Sequence, residues 1–187
     1  MKRYGLAIVI LYLFLSSCSI TPAPPRKIIF INAHPELGKV DVKSIPIAIN
    51  SSNCKPVFDR LSVYAQTGKF ELTMIPGYVW ADTPCNMVKN SLVEAFSQAG
   101  YRVIDFSKNR LFFTLFEFQP VFEKDKIYCK ILAKFTLKTS NKIRTMLYHK
   151  ERSIEKKSQF VDCLNTLVND MDSAVLDWVY ANLRAEH

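Results

Sequence analysis

The chain has 187 residues, of which 49% are hydrophobic and 22% are charged. This balance is typical of a globular protein, and it excludes collagen-like and intrinsically disordered classes. A chain of this length can bury one sizeable core, whereas two full domains would be cramped. Its five glycines are too far apart for any G-x-G-x-x-G, P-loop or G-x-S-x-G motif, and its three histidines cannot form H-E-x-x-H. These spacings argue against dinucleotide enzymes, P-loop NTPases, α/β-hydrolases and zincins.

The N-terminus has the pattern of an export signal. Lys2 and Arg3 precede an uncharged, aliphatic run over residues 5–15, which is too short to span a bilayer. Residues 15–18 read Leu-Ser-Ser-Cys, which resembles a bacterial lipobox. We therefore predict a lipoprotein-type signal peptide over residues 1–17, with palmitate or similar chains on Cys18 that anchor the protein to a membrane. The alternative is an ordinary secretory signal that happens to contain a cysteine.

The residues after Cys18 indicate a tether. Three prolines fall between residues 22 and 25, so residues 18–26 are predicted to be the lipidated cysteine with an extended linker, followed by a domain over residues 27–187. Ser19 favours the outer membrane, facing the periplasm; the periplasmic face of the inner membrane is the alternative. Removal of residues 1–17 takes away Lys2 and Arg3 and lowers the net charge from +8 to +6, which suits anionic headgroups. Export makes nucleic acid an implausible partner.

Strands and turns alternate through the first half of the domain. Strands are expected at 27–31 and 42–49, a loop at 50–56, a hairpin from 61–64 and 70–74, and a strand at 101–106. Pro46 is expected to confine its strand to an edge or a bulge. Thr83, Pro84 and Gly100 have the pattern of a helix cap, first turn and end, so we predict an amphipathic helix over residues 84–99.

The second half is predicted to be a hairpin, a strand and a long helix. Strands at 110–118 and 127–137 are joined by a turn at 123–126, and a strand at 143–149 precedes a helix over 158–183. The fold class is therefore α/β (α+β): a single domain with a mixed or largely antiparallel sheet and two helices packed on one face.

Four cysteines remain in the predicted domain: Cys54, Cys85, Cys129 and Cys163. An oxidising compartment permits disulfides, and four cysteines allow three pairings, none of which the sequence selects. Cys129 is predicted on the apolar face of a strand and Cys163 near the buried stripe of a helix. Both could therefore equally be small buried apolar residues.

The sequence carries no recognisable catalytic, metal-ligating or cofactor-binding pattern. No acidic side chain forms a motif with a histidine or a second carboxylate, so we expect no catalytic residue, no metal and no cofactor. The segment 138–157 is basic, and we interpret it either as a solvated face or as a surface for headgroups or an acidic partner. The residues proposed for that surface are Lys142, Arg144, Lys156 and Lys157.

An ordered set of short motifs resembles the auxiliary lipoproteins of ABC-type transport systems, the PqiC-like family. The set begins with a strand led by Arg60, continues with a second strand, and reaches a segment with Trp80, Asp82 and Pro84 that opens a helix. A Leu- and Phe-rich strand at 111–118, a strand at 131–137 and a C-terminal helix carrying Trp178 complete it. The segment 27–31 and the extra cysteines depart from the family pattern.

The resemblance implies a function without catalysis. Such lipoproteins are accessory parts of systems that move phospholipids between the two membranes, with an MCE-domain protein, a permease and an ATPase as partners. A homo-oligomeric ring is one assembly that the resemblance allows. The alternatives are a structural or assembly lipoprotein of the envelope with a TolB-like domain, and a periplasmic enzyme.

Overall fold

The computed structural model describes residues 25–31 and 44–185, and these fold into one mixed α/β domain. Two 3-10 turns, Pro56–Asp59 and Lys157–Gln159, accompany the strands and helices. In chain order, the strands and helices are β1 (Lys27–Ile29), β2 (Pro46–Cys54), β3 (Ser62–Gly68), β4 (Glu71–Trp80), α1 (Pro84–Gln98), β5 (Arg102–Val103), β6 (Arg110–Phe122), β7 (Ile127–Lys138), β8 (Ile143–Ser153) and α2 (Phe160–Arg184).

The long strand β6 is the centre of a branched sheet. One edge of β6 pairs with β7 in antiparallel fashion along its whole length, and β7 pairs with β8 in the same way. The other edge is shared by two parallel neighbours, because β2 pairs with the first half of β6 and β3 meets it at Val121. Beyond β2 lies β5, and beyond β3 lie β4 and then β1. The predicted mixed sheet with two helices is confirmed.

The core lies between this sheet and the two helices, which contact each other. The alternating residues of β7 from Cys129 to Leu137 are fully buried, as the period-2 pattern predicts, whereas Leu132 belongs to the opposite, half-exposed set. The apolar stripe of α2 covers this part of the sheet, and α1 packs over β2. Burial of these apolar side chains is the main contribution to the stability of such a domain.

The start and end of α1 follow the signals in the sequence. Thr83 is the N-cap, and its hydroxyl accepts a hydrogen bond from the backbone N–H of Asn86 at 3.3 Å. Pro84 occupies the first turn, where its missing N–H costs nothing. Gly100 follows the helix with a φ of 93°, a left-handed conformation that glycine adopts without strain. The predicted helix over 84–99 is confirmed, and its last residue, Ala99, is the C-cap.

Four sequence expectations about strand bounds are wrong for one shared reason. Residues 50–54 are not a loop, because pairing with β6 extends β2 to Cys54 through a register irregularity. Of the strand expected at 42–49, positions 42 and 43 lie outside the described residues. The observed strand begins at Pro46 and lies between β6 and β5 in the sheet. Conversely, β5 covers only residues 102–103, and β1 ends at Ile29, where its partner β4 also ends. Available partner strands, rather than local propensity, set these bounds.

The remaining elements agree with the sequence more closely. The hairpin of β3 and β4, the turn at 123–126 and the long C-terminal helix are confirmed, although most of the strands are longer than predicted. The signal peptide, Cys18 and the tether up to residue 24 lie outside the described residues. Within the described part, no helix is long and apolar enough to cross a membrane.

Candidate functional site

The motif residues that carry the family resemblance gather around the start of α1. Trp80, the last residue of β4, is only 3% exposed, and its ring lies 5.7 Å from that of Phe118. Asp82 accepts hydrogen bonds from the Thr83 backbone N–H at 2.6 Å and from the Asn86 side chain at 3.1 Å. These contacts assign Trp80 to the core and Asp82, with Pro84, to the helix start. Arg60, by contrast, is exposed immediately before β3.

A disulfide between Cys54 and Cys85 joins the end of β2 to the first turn of α1, with Cα atoms 6.3 Å apart. The sequence left the pairing open, and the fold selects it by bringing two elements together across 31 residues. The Asp59 carboxylate lies near the two sulfurs. Because both sulfurs are bonded to each other, we assign this cluster to the crosslink and not to a metal.

The four basic residues proposed as one surface lie at opposite ends of β8. Lys142 and Arg144 stand at its start, and Lys156 and Lys157 follow its end. The intervening extended chain separates the two pairs by about 30 Å, at about 3.4 Å per residue. Within the first pair, Lys142 is exposed, whereas Arg144 is half-buried and its Nε is shielded from solvent. The run of positive charge in the sequence therefore forms two separate sites.

The Lys156 and Lys157 end is also the end at which the chain enters the domain. The Lys27 ammonium, at the start of β1, lies 5.6 Å from the centre of the Tyr78 ring. The Tyr78 ring packs edge-on against Phe160, three residues after Lys157, with ring centres 5.3 Å apart. Lys157 itself lies over the ring of Phe122. The start of β1 and the second basic pair therefore share one end of the domain.

The acidic residues that the sequence left unassigned have partners distant in the chain. Glu117 forms an ion pair with Lys130 across β6 and β7 at 3.0 Å, and Asp170 of α2 forms one with Lys150 of β8 at 2.8 Å. The pair of Lys150 and Asp170 is partly exposed and adds little to stability, whereas Lys130 is buried and needs Glu117 to compensate for the burial of its charge. Neither pair brings a second carboxylate or a histidine into the geometry of an acid–base site.

Asp172 is the exception, because it lies in the otherwise apolar contact between the two helices. Its side chain is fully buried, and one carboxyl oxygen accepts a 2.5 Å hydrogen bond from the hydroxyl of Ser91 in α1. Its other oxygen is buried without a hydrogen-bond partner. Burial raises the pKa of Asp172 to about 7; the Ser91 hydrogen bond opposes the rise and the charge of Glu94 adds to it. The sequence shows Asp172 as one of several carboxylates without a recognisable partner, and its contact with Ser91, 81 residues away, appears only in the fold.

A cleft of about 490 Å³ lies at the other end of the domain, beside β5. Apolar side chains and the two cations Arg102 and Lys108 line it. Phe106, at its rim, is 84% exposed. Ser107 and Asn109, which also line the cleft, both donate side-chain hydrogen bonds to the carbonyl oxygen of Pro46. These bonds fix the loop before β6.

Comparison with known proteins shows the fold. No family model and no curated protein matches this chain. A protein of the DUF330 family from Xanthomonas campestris shares the fold with a TM-score of 0.68 and 15% identity, over 86% of this chain and 99% of that one. An uncharacterized protein gives a TM-score of 0.67 and 13% identity, over 83% of this chain and 99% of the other. A minor lipoprotein from Acinetobacter baumannii gives a TM-score of 0.39, which is too low to indicate a shared fold.

Proposed function

We propose that the protein is a lipid-anchored lipoprotein of the cell envelope and an accessory component of an MCE/ABC-type phospholipid transport system. The observation that carries the anchor is the Leu-Ser-Ser-Cys box at residues 15–18, directly after a short apolar run. Two or more acyl chains on Cys18 would give stable anchoring without a spanning helix. We place the anchor in the outer membrane, with the domain in the periplasm.

The transport role rests on the ordered motifs and on the way the chain folds them. The segment from Arg60 to Pro84 leads from β3 through β4 into α1, in the order that the resemblance requires. The fold shared with the DUF330 protein is consistent with that assignment but adds nothing about partners. On this proposal, the protein works by binding an MCE-domain protein, the neighbour of a permease and an ATPase, and not by catalysis.

The geometry gives this proposal an orientation. Nine residue steps separate Cys18 from Lys27, so the chain can span at most about 30 Å between the lipid and β1. The entry of β1 shares its end of the domain with Lys156 and Lys157. We therefore propose that these two lysines contact anionic headgroups, and that the end with Lys142 and Arg144 points away from the anchoring membrane.

Lipidation is tested by substitution of the anchor cysteine. Cells producing the wild-type chain or Cys18→Ser are labelled with radioactive palmitate and then fractionated. We expect the wild type to carry label and to sediment with membranes, whereas Cys18→Ser loses the label and either stays unprocessed or becomes soluble. Membrane association of a processed Cys18→Ser protein would contradict the anchor.

The headgroup contact is tested with a matched pair of charge reversals. Lys156→Glu/Lys157→Glu changes the proposed membrane end, and Lys138→Glu/Lys142→Glu makes the same change in exposed residues at the far end. Binding to vesicles with anionic lipid should weaken only for the first variant, and rising salt should weaken the wild type, because exposed charges are screened. Equal losses for both variants would contradict the orientation.

The transport role is tested by purification from mild detergent. We expect an MCE-domain protein to co-purify with the wild-type protein and to identify the system. If none is retained even at low salt, the transport role fails and a structural or assembly lipoprotein becomes the better interpretation. The lipid label decides the anchor independently of this result.

A further inference from the structure

Two buried cysteines, Cys129 of β7 and Cys163 in the first turn of α2, are free of the Cys54–Cys85 disulfide. The contacts of both sulfurs place them at the same point, between β7 and the start of α2. The backbone holds them there: Cys129 is paired with Arg152 across β7 and β8, and the Cys163 sulfur lies 3.4 Å from the Arg152 carbonyl oxygen. The Cys129 sulfur lies 3.6 Å from the carbonyl oxygen of Phe160, at the start of the same helix.

The two thiols differ in access. A cleft of about 330 Å³ opens beside the start of α2, and Cys163 lines it together with Arg152, Asp162 and Thr166. Cys129, which is fully buried behind it, does not line this cleft. A reagent that enters from solvent therefore meets Cys163 first.

The two thiols also differ in acidity, because the more accessible thiol, Cys163, has the lower pKa. The hydrogen bond from Cys129 lowers the pKa of Cys163 and the positive charge of Arg152 adds to this effect, whereas burial opposes it. That hydrogen bond, followed by burial, raises the pKa of Cys129 above its ordinary range. The thiolate is the reactive form in thiol–disulfide exchange. Cys163 is thus the more accessible of the two thiols and the one with the lower pKa, as the attacking thiol requires.

We propose that Cys129 and Cys163 are a redox-active dithiol, which closes a second disulfide between β7 and α2 by exchange with a disulfide oxidant in the cleft beside α2. The Cys163 thiolate attacks one sulfur of the oxidant, forms a mixed disulfide and releases the other sulfur as a thiolate. Cys129 then loses its proton and attacks the Cys163 sulfur, and the second thiolate of the oxidant leaves. The protein loses two protons and two electrons, and the oxidant gains them. That such an oxidant is present rests on the proposed export to an oxidising compartment.

The test uses the purified full-length protein, reduced and then exposed under native conditions to oxidised glutathione. After acid quenching, free thiols are alkylated and the chain is digested with trypsin without reduction. The proposal predicts that most of peptide 127–130 is linked to peptide 158–184. The Cys54–Cys85 link, which joins peptides 44–60 and 70–89, is the internal control. Recovery of peptide 127–130 mostly alkylated, while the control link has formed, would overturn the proposal.

Two serine variants test the order of the steps, since serine keeps a hydrogen-bonding group at each position. Cys129→Ser should trap glutathione on Cys163 as a stable mixed disulfide. Cys163→Ser should take up glutathione on Cys129 more slowly than Cys129→Ser takes it up on Cys163, because Cys129 is buried behind the cleft and has the higher pKa. Equal rates would overturn the order. Because the assay contains neither membrane nor partner, a failure of lipidation or of partner capture leaves its result unchanged.

Discussion

Replacement of Asp172 by asparagine should change how the stability of the protein depends on pH. Asp172 is buried between α1 and α2, facing Ser91 and Glu94 of α1 and near Tyr148 of β8. Asparagine has nearly the same shape and still accepts the hydrogen bond from Ser91, but it cannot ionise. The variant therefore removes the titration with little change in packing.

The size of the effect follows from the raised pKa of Asp172, about 7 in place of 3.8. The folded state binds this proton more tightly than the unfolded state does, so ionisation destabilises the fold. The cost is absent below about pH 4, grows between pH 4 and 7, and is complete above pH 7. About three pH units at about 1.4 kcal/mol each give an upper limit of about 4 kcal/mol. Movement of the buried carboxylate or entry of water would reduce this value.

The assay is urea denaturation of the wild type and of Asp172→Asn between pH 4 and 8. We expect the difference in free energy of unfolding between the two proteins to change by up to about 4 kcal/mol in favour of the variant as pH rises. Burial of the asparagine amide has its own free-energy cost, but this cost does not change with pH. It therefore cancels when the change with pH is compared. Asp177→Asn, on the exposed side of the same helix, is the control and should follow the wild type. Parallel curves for the wild type and Asp172→Asn would refute the reasoning.

Two further predictions concern the connection of α1 to the sheet. Reduction of the Cys54–Cys85 disulfide, or its replacement by two alanines, should lower the free energy of unfolding by about 4 kcal/mol, the chain-entropy value for a loop that spans 31 residues. If the double alanine variant is as stable as the oxidised protein, the crosslink does not constrain the unfolded chain. Trp80→Ala should cost about 3–5 kcal/mol, because the side chain is buried in the core. A loss below about 1 kcal/mol would show that the Trp80 ring does not contribute to the core beside Phe118.

The sequence predicts those parts of the fold that depend on neighbouring residues. Thr83, Pro84 and Gly100 mark α1 because caps, first-turn prolines and left-handed glycines act within one turn of a helix. The alternation from Ile127 to Leu137 identifies β7 because a half-buried strand needs it. Where a strand depends on a distant partner, as in β2 beyond residue 50, the local pattern fails.

In the candidate site, too, the features that depend on distant partners could not be predicted from local patterns. The charged run from 138 to 157 suggests one patch, because the strand predicted at 143–149 is shorter than β8 and does not show how far apart the two ends of the run lie. Asp172 falls on the apolar stripe of α2, and only its contact with Ser91, 81 residues away, explains why a carboxyl group is tolerated there. The Cys54–Cys85 pairing likewise depends on the packing of α1 against the end of β2, which no local pattern encodes.

The polar and covalent links of the helical layer bear on how such a domain could bind. The Cys54–Cys85 disulfide fastens the start of α1 to β2, and the hydrogen bond between Ser91 and Asp172 joins α1 to α2. The start of α2 is held against β7 by Phe160 and, on our proposal, by the second cysteine pair. Links at these points resist sliding of the helices over the sheet. A partner that binds an outer surface therefore does not have to order the domain first, which would reduce its affinity. Ile143 and Leu147 of β8 lie on such a surface, and they remain more than 60% exposed. On our proposal that the domain docks on a partner while a tether holds it at the membrane, a fixed helical layer and an exposed apolar edge strand suit that role.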